Sequence, residues 1–517
     1  MSLAISNAFL DSSEAIVGKY LGPVCGVVVQ KLLLPLSDST TLRGLIRATN
    51  LKVLEVKAAL GMLIQHDIVT FSRDDAGIVH YKASFEQILR LGSRSAYIMT
   101  AKNMFGDQAS ALMEELLLAG KLNHIVCVER ATEHLSDLGL SSNVTDVQDA
   151  FRTLVNSRLI RLCPSVDRQR SEGNEVPIFH EPPNEFPKPN FDAPTDGLET
   201  TSDDQLWCVN FSLLDQYRRY SMIINFFEAR FGKKAGELMT VIVQVEDLNA
   251  ANISRSREVR LNHIVTTLPE SLGFNSRSLT LLFSVFAKDP LNIVCEKPDP
   301  REAYFIIDYD RIFTVMSMAE IENTIRCTVG PHAVRLFNIL LVRGDMVEHE
   351  LANVALLDSC RCKELLQSCV QYKYIFVTEP PPSGKFVAKA KPTYFMQVNV
   401  GDTVLHLMDV ACMAIKNATE RRELENEANR ELIARENKYI NVCRKISAEH
   451  ADDPALKEQH LHEIAETYVT SAEKKLLQKH RKRLEAFDAL TVNVDNSLFL
   501  FQTYLLYHPV RGLCRRK

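Results

Sequence analysis

Four short patterns in this 517-residue chain carry residue types able to do chemistry. Asp308-Tyr309-Asp310 sets two carboxylates close together. Cys360-x-Cys362 with Cys369, and His460-x-His462, carry metal-ligand types, while Gly18-Lys19 and Gly232-Lys233 resemble the end of a phosphate loop. Each falls short of its chemistry. Two-metal nucleotidyl transfer needs clustered carboxylates, and no Asp-x-Asp-x-Asp run exists. Asp308 and Asp310 are therefore expected as solvated residues at a strand end. The cysteines and histidines lack the paired spacing of structural zinc sites and read as packing or surface residues. Neither glycine-lysine pair has the preceding glycine or the following Ser/Thr of a Walker loop. No catalytic residue, metal, cofactor or small-molecule substrate is expected.

What remains is positive charge that could meet phosphate. Three clusters are candidates for DNA contact: Arg43, Arg47, Lys52 and Lys57; Arg255, Arg257 and Arg260; and Lys385, Lys389 and Lys391. In helix-turn-helix proteins the third helix enters the major groove, and such cations meet phosphates with a salt-dependent affinity. The plain alternative is a solvated face or a protein contact, and Asp146 and Asp149 beside Arg152 favour it in the second module. Lys474, Lys475, Lys479, Arg481, Lys482 and Arg483 form the densest basic run. It reads as a solvated face, a contact to an acidic surface or a nuclear-import signal. A net charge of −5 argues against a chain that coats nucleic acid.

The elements that would position these residues repeat. Leu63 to Phe71, Leu154 to Leu162 and Cys369 to Val377 share one phrase: two apolar residues ending a helix, three polar ones, then an apolar strand. Val285 to Val294 is a looser fourth copy. The irregular spacing fits closed domains on a string better than a solenoid.

In the first module, Glu14 to Leu34 reads as one helix ending at Pro35. Ser37-Asp38-Ser39-Thr40 offers caps for a helix Leu42 to Ala48. A third helix, Val53 to Gln65, places Val53, Val56, Leu60, Leu63 and Ile64 on one face, and strands 68–71 and 78–81 follow. The second module has helices 105–119, 124–138 and 143–156 and a strand 159–162, with no clear return strand. Residues 171–204 hold six prolines and nine acidic residues against one lysine, the composition of a disordered linker. The third begins near Trp207, with helices 213–231, 233–245, 256–268 and 276–287 and a hairpin 293–296/304–307. The fourth has helices 333–342, 347–355 and 358–370 and a wing joining 374–378 to 394–398.

Beyond Thr403, Leu405, Met408, Cys412, Ile415, Leu424, Ala428 and Leu432 form a seam. Asp452-Asp453-Pro454 turns the chain into a second helix carrying Leu456, Ile464, Val469, Leu476 and Leu484, and Leu498 to Tyr507 reads as a last helix.

The expected fold is mainly α with small β-wings: four tandem winged helices, then an antiparallel coiled-coil hairpin. The domain boundaries are 1–82, 83–163, the 164–206 insertion, 207–312, 313–400, the coiled coil 401–490, and a helix with basic tail at 491–517. At this length the chain exceeds one core. Twelve scattered cysteines suggest reduced thiols. No leader or spanning stretch is apparent, so a soluble, intracellular protein is expected.

Four such modules, the acidic insertion after the second and the terminal hairpin resemble the largest member of the specific heterotrimer of RNA polymerase III. Tyr20-Leu21-Gly22 to Leu34 and Leu42 to Phe71 look particularly similar to the animal protein. The resemblance implies a nuclear, non-catalytic polymerase subunit related in architecture to the large subunit of transcription factor IIE. It would join two smaller specific subunits, dock on the clamp of the largest polymerase subunit, touch promoter DNA locally and support promoter opening. The competing reading is a free winged-helix regulator that dimerises through its coiled coil. That reading needs side chains forming bidentate contacts to base edges, in which the third helices are poor.

Overall fold

The computed structural model describes residues 7–34, 40–74, 77–140, 143–166, 179–180, 205–245, 254–268, 273–298, 304–378, 394–449 and 470–509. It is mainly helical with small antiparallel sheets, as the hydrophobic patterning predicts.

Helices α1 (Asn7–Leu21) and α2 (Pro23–Leu33) replace the single helix expected over 14–34. Pro23 has no N–H to continue a helix but suits the first position of a new one, and Gly22 takes φ 99° to make the corner. Next come α3 (Leu42–Thr49) and α4 (Val53–Gln65), which has the expected bounds. The cap of α3 is Thr41, whose hydroxyl accepts from the Gly44 amide, while residues 37–39 lie outside the described set. On α4 the buried face is Val56, Ala59, Leu60 and Leu63; Val53 is exposed. Strands β1 (Val69–Arg73) and β2 (Val79–Ala83) pair from Val69↔Ala83 to Arg73↔Val79.

Helix α5 (Phe85–Gly92) sends Ile88, Leu89 and Leu91 into the core of the first unit, so the boundary expected after residue 82 is corrected. The second unit contains α6 (Arg94–Phe105), α7 (Asp107–Ala119), β3 (Lys121–Asn123), α8 (His124–Asp137), α9 (Val144–Asn156) and β4 (Ile160–Leu162). A short pair, β5 (Ser165–Val166) with β6 (Phe179–His180), sits inside the acidic insertion, most of which lies outside the described residues. Strand β7 (Leu206–Val209) then returns as the centre of the sheet β3-β7-β4. The boundary expected at 207 is therefore corrected. Trp207 is fully buried in the second core, edge-on to Phe151 at 5.6 Å, because burying so large an apolar surface outweighs sequence proximity to the third unit.

The third unit holds α10 (Phe211–Phe231), α11 (Lys233–Val245), β8 (Val259–Arg260), α12 (Leu261–Thr267), α13 (Ser276–Ala287), β9 (Val294–Lys297) and β10 (Tyr304–Ile307), in sheet order β8-β10-β9. The helix expected over 256–268 is shorter, since its first residues pair with β10. Helix α14 (Tyr309–Thr328) follows without a loop. The fourth unit comprises α15 (Pro331–Arg343), β11 (Met346–Val347), α16 (Glu348–Ala355), α17 (Ser359–Gln371), β12 (Phe376–Thr378) and β13 (Phe395–Gln397), ordered β11-β13-β12.

The repeated phrase is a helix-ending corner. Its fifth residue, Asp67, Arg158 or Lys373, has φ of 55°, 61° or 55°. The next amide bonds back five residues, Ile68 to Leu63, Leu159 to Leu154 and Tyr374 to Cys369, at 2.9–3.0 Å. This is the Schellman pattern, which satisfies carbonyls a helix end leaves open. Asn292 (φ 49°) turns the looser copy. The repeat also extends further than the phrase: after its last strand each unit enters a helix through an N-cap, at Ser84, Asn210, Asp308 and Asn399. The first three donate their amides to Ile68, Leu159 and Ile293 carbonyls at 2.8 Å.

Among the described residues, three long helices follow the fourth unit: α18 (Val400–Ala428), α19 (Arg430–Glu449) and α20 (Ser471–Tyr507). The turn at 452–454 and Leu456, Ile464 and Val469 lie outside the described residues. The seam shifts to Val404, Leu407, Met408, Ala411, Cys412, Ile415 and Ala418, leaving Leu424 exposed. No glycine or proline interrupts 471–507, so the separate last helix is instead the end of α20.

The arrangement is not a string of closed domains. One core joins the first unit, the fourth unit, α18 and Leu498, Phe501, Tyr504 and Leu505 of α20. The second unit has its own core, and the third has another into which α20 sends Leu500.

Candidate partner and nucleic-acid surfaces

The structure separates the three cation clusters. Arg43 and Arg47 lie one turn apart on α3, whose 8 residues contain no acid. Lys52 caps α4 and Lys57 lies on it, and all four side chains are exposed. No ion pair engages them among the described residues. Glu55, the one acid on α4, accepts from the Lys52 amide at 3.2 Å, so its carboxylate is held at the helix start.

The second cluster is committed internally. Arg255 Nε lies 3.4 Å from Asp308 Oδ2, and Arg260 Nη2 donates to Glu258 at 2.9 Å; Arg257 is exposed. Lys385, Lys389 and Lys391 lie outside the described residues.

Asp308 is buried rather than solvated. It caps α14, accepts from the Arg311 amide at 3.4 Å, and is the partner of Arg255. Asp310 is half-buried and paired with His508 at 2.8 Å. Their carboxylates thus serve a helix start and a terminal contact. Cys362 and Cys369 are buried on α17, where burial raises their thiol pKa values, Cys369 to about 12; Cys360 is exposed. His460 and His462 lie outside the described residues. Among the described residues no group of three or more His, Cys, Asp or Glu could hold a metal, and no helix is long and apolar enough to cross a membrane.

The basic run on α20 divides in two. Arg481 and Arg483 reach Glu436 and Glu425 at 2.6 and 3.1 Å, and Arg435 and Arg422 reach back to Glu473 and Asp488 at 2.8 and 2.6 Å. These bridges tie α20 to α18 and α19, each exposed pair contributing about 0–1 kcal/mol. Lys474, Lys475, Lys479 and Lys482 point to solvent.

Two buried polar clusters hold the units to each other, and sequence reading missed both. Asp215 on α10 accepts from Arg90 at 2.8 and 3.1 Å and from Tyr97 Oη at 2.6 Å. Burial, then the Asp215 charge, pushes the Tyr97 pKa well above its ordinary value. Burial opposes the Arg90 charge, but Asp215 and Glu86 outweigh it and raise that pKa. The second cluster centres on Asp495 of α20, which accepts from Ser93 and from Arg218 of α10. Arg218 also stacks 4.2 Å from the centre of the Phe499 ring. The signal for these residues was a lone charge inside an apolar helical face.

The corner ending α4 docks on the second unit. Gln65 Nε2 donates to the Ala119 carbonyl at 2.7 Å, and Lys121 Nζ meets Asp67 at 2.7 Å. A Cβ at Gly120 would lie 2.9 Å from the Gln65 carbonyl, so the approach requires glycine. His66 lines a small cavity in this joint; burial, then the Arg94 charge, lowers its pKa to about 4.

The outward face of α4 is apolar apart from Lys57. Leu54 is 79% exposed, with Lys57, Ala58, Gly61 and Met62 following at helical spacing. Of the side chains able to contact a base edge, this face carries Lys57, with Gln65 at its end engaged by the Ala119 carbonyl.

Known sequences locate this architecture. The profile of the RNA polymerase III subunit RPC82 helix-turn-helix domain matches residues 12–74, from within α1 through β1. The DNA-directed RNA polymerase III subunit RPC3 of Mus musculus is 23% identical over 516 residues, covering 93% of this chain and 96% of the relative. The Homo sapiens RPC3 is 22% identical over 521 residues with the same coverage, and that of Danio rerio is 23% identical over 505 residues, covering 90% and 92%. The chain is similar to RPC3 over nearly its whole length. The resemblance to an RNA polymerase III subunit expected from the sequence is thereby borne out. It extends well past the helix-turn-helix match into the long C-terminal helices.

Proposed function

We propose that the chain is a non-catalytic subunit of nuclear RNA polymerase III. In this reading the four units are tandem winged helices and α18–α20 an antiparallel coiled-coil hairpin. Their surfaces assemble with two smaller specific subunits and the clamp of the largest subunit, and the assembled chain supports promoter opening. The observation that carries the proposal is similarity to RPC3 subunits along nearly both lengths. The physical setting agrees with it: the carboxylates that suggested chemistry are occupied as caps and pairs, and what the chain offers outward is docking area. DNA contact in this reading is local, and Lys385, Lys389 and Lys391 enter it as sequence candidates only.

The free-regulator reading is less well supported. On α9, Asp146 is exposed and Asp149 engages Arg152 at 2.8 Å, which opposes phosphate, and the arginines near α12 are paired internally.

Affinity purification of the tagged full chain tests the proposal. The chain should elute with the large polymerase assembly, and elution alone or as a dimer refutes it. Polymerase depleted of the chain should then lose initiation on closed promoters while still transcribing a pre-melted template. Equal loss on both templates removes the promoter-opening part.

A further inference from the structure

From the face of α4 and its surrounding charge, we propose that the first unit's helix-turn-helix docks a protein segment with an apolar ridge rimmed by carboxylates, rather than duplex DNA. This rests on the reading of the chain as a polymerase subunit.

Three observations converge. Leu54, Ala58, Gly61 and Met62 form an exposed stripe that is apolar apart from Lys57, with exposed Val53 at its start. A helix packed only at its inner face should carry polar residues here. Second, Gly61 lies in the helix interior, and a Cβ there would meet nothing within 4 Å. Glycine weakens a helix relative to alanine, and within this chain no contact requires it, in contrast to Gly120. A residue that costs helix stability without an internal reason fits a surface approached closely by another backbone. Third, Arg43 and Arg47 on α3, Lys52 at the start of α4 and Lys57 on it are exposed and make no ion pair among the described residues, in a chain of net charge −5. An occupant bearing carboxylates would neutralise them at the rim, while its apolar ridge covers the centre.

Duplex DNA satisfies only the third observation. Phosphate would engage the cations, but the groove floor would then face Leu54 and Met62. The stripe ends at Gln65, which is held by the Ala119 carbonyl, so the occupant enters from the α4 N-terminal side.

The test places a photo-crosslinking residue at Met62 of the full chain, assembled into the purified polymerase. The expected product is a crosslink to a protein chain at a peptide holding apolar residues beside Asp or Glu. Crosslinking to DNA, or none in an assembly that contains the chain, overturns the docking inference and leaves the subunit reading standing. Failure of the wild-type chain to co-purify with the polymerase overturns both. Leu54→Glu with Met62→Glu should weaken retention in the assembly at least tenfold while the isolated chain melts unchanged, since both sites are exposed. Gly61→Ala provides a readout of opposite sign: a higher melting midpoint for the isolated chain and weaker retention in the assembly. Higher stability with unchanged retention also overturns the inference.

Discussion

Removing the Asp495 carboxylate should loosen the joint between α10 and α20 more than any surface change could. In Asp495→Ala the Arg218 guanidinium stays buried, with 6% of its side chain exposed, and loses its one carboxylate partner among the described residues. Its remaining polar neighbours are the Asn496 Oδ1 at 3.2 Å and the residue-495 carbonyl at 3.4 Å, with the Phe499 face alongside. Ser93 loses its acceptor as well. Leaving one member of a buried pair uncompensated costs about 3–5 kcal/mol, whereas replacing both by apolar groups is often nearly neutral. A chain with three cores need not unfold in one step, so amide hydrogen exchange at 215–225 and 493–505 is the proper assay. Opening free energies there should fall by about 3–5 kcal/mol in Asp495→Ala and by much less in Arg218→Met with Asp495→Leu. If the single variant leaves protection unchanged, or the double variant costs as much as the two singles summed, the pair is not the joint's buried charge centre.

Three further perturbations probe other parts of the chain. Leu356, at φ 52° and 82% exposed after α16, occupies a left-handed position held by Asn50 in the first unit. Leu356→Asn should stabilise the fourth unit by up to about 1 kcal/mol, read as a higher melting midpoint, and a lower one refutes it. Trp207→Ala should cost about 3–5 kcal/mol and speed exchange at 121–123 and 160–162; faster exchange at 294–307 instead would return Trp207 to the third unit. His66 stays neutral in the folded chain down to about pH 4, whereas the unfolded side chain protonates near 6.5. The unfolded state therefore binds more protons between those values, and stability falls as pH drops through that window. His66→Gln should remove about 1–2 kcal/mol of that loss, allowing for the partial exposure of the ring, measured as a flatter melting profile from pH 6.5 to 4.

Local rules made α4, α11 and α13 legible to their ends, because a cap or glycine starts each and a polar corner or charged run stops it. The repeated phrase was legible for the same reason: two apolar residues, three polar ones and a strand encode one left-handed residue and its back-bond. Contacts distant in sequence were not. Trp207 pairs with Leu162 across the acidic insertion, and no periodicity in β7 announces which unit it completes. Helix α14 went unread because its cap, Asp308, follows β10 directly, and a carboxylate pair suggested an exposed strand end. Exposure of Arg43, Arg47, Lys52 and Lys57 was legible from their helical positions. The pairing of Arg255 with Asp308 depends on how β8 meets β10.

The shared core changes what the repeated units can do. Had each closed independently, linkers would set their mutual geometry, and the outward faces would sample many orientations. Instead α20 runs unbroken from the bridges at Arg481 and Arg483 to Leu500 in the third core and Leu505 in the first, with Asp495 between them holding α10. Rotating the third unit against the first would have to withdraw Leu500 or Leu505 from its core, or separate Arg218 from its carboxylate. Each step uncovers apolar surface or a buried charge at several kcal/mol. The face of α4 and the exposed lysines of α20 are therefore presented at a fixed spacing. A partner touching both would bind with little ordering cost, which is the advantage of a scaffold over a tethered set of modules.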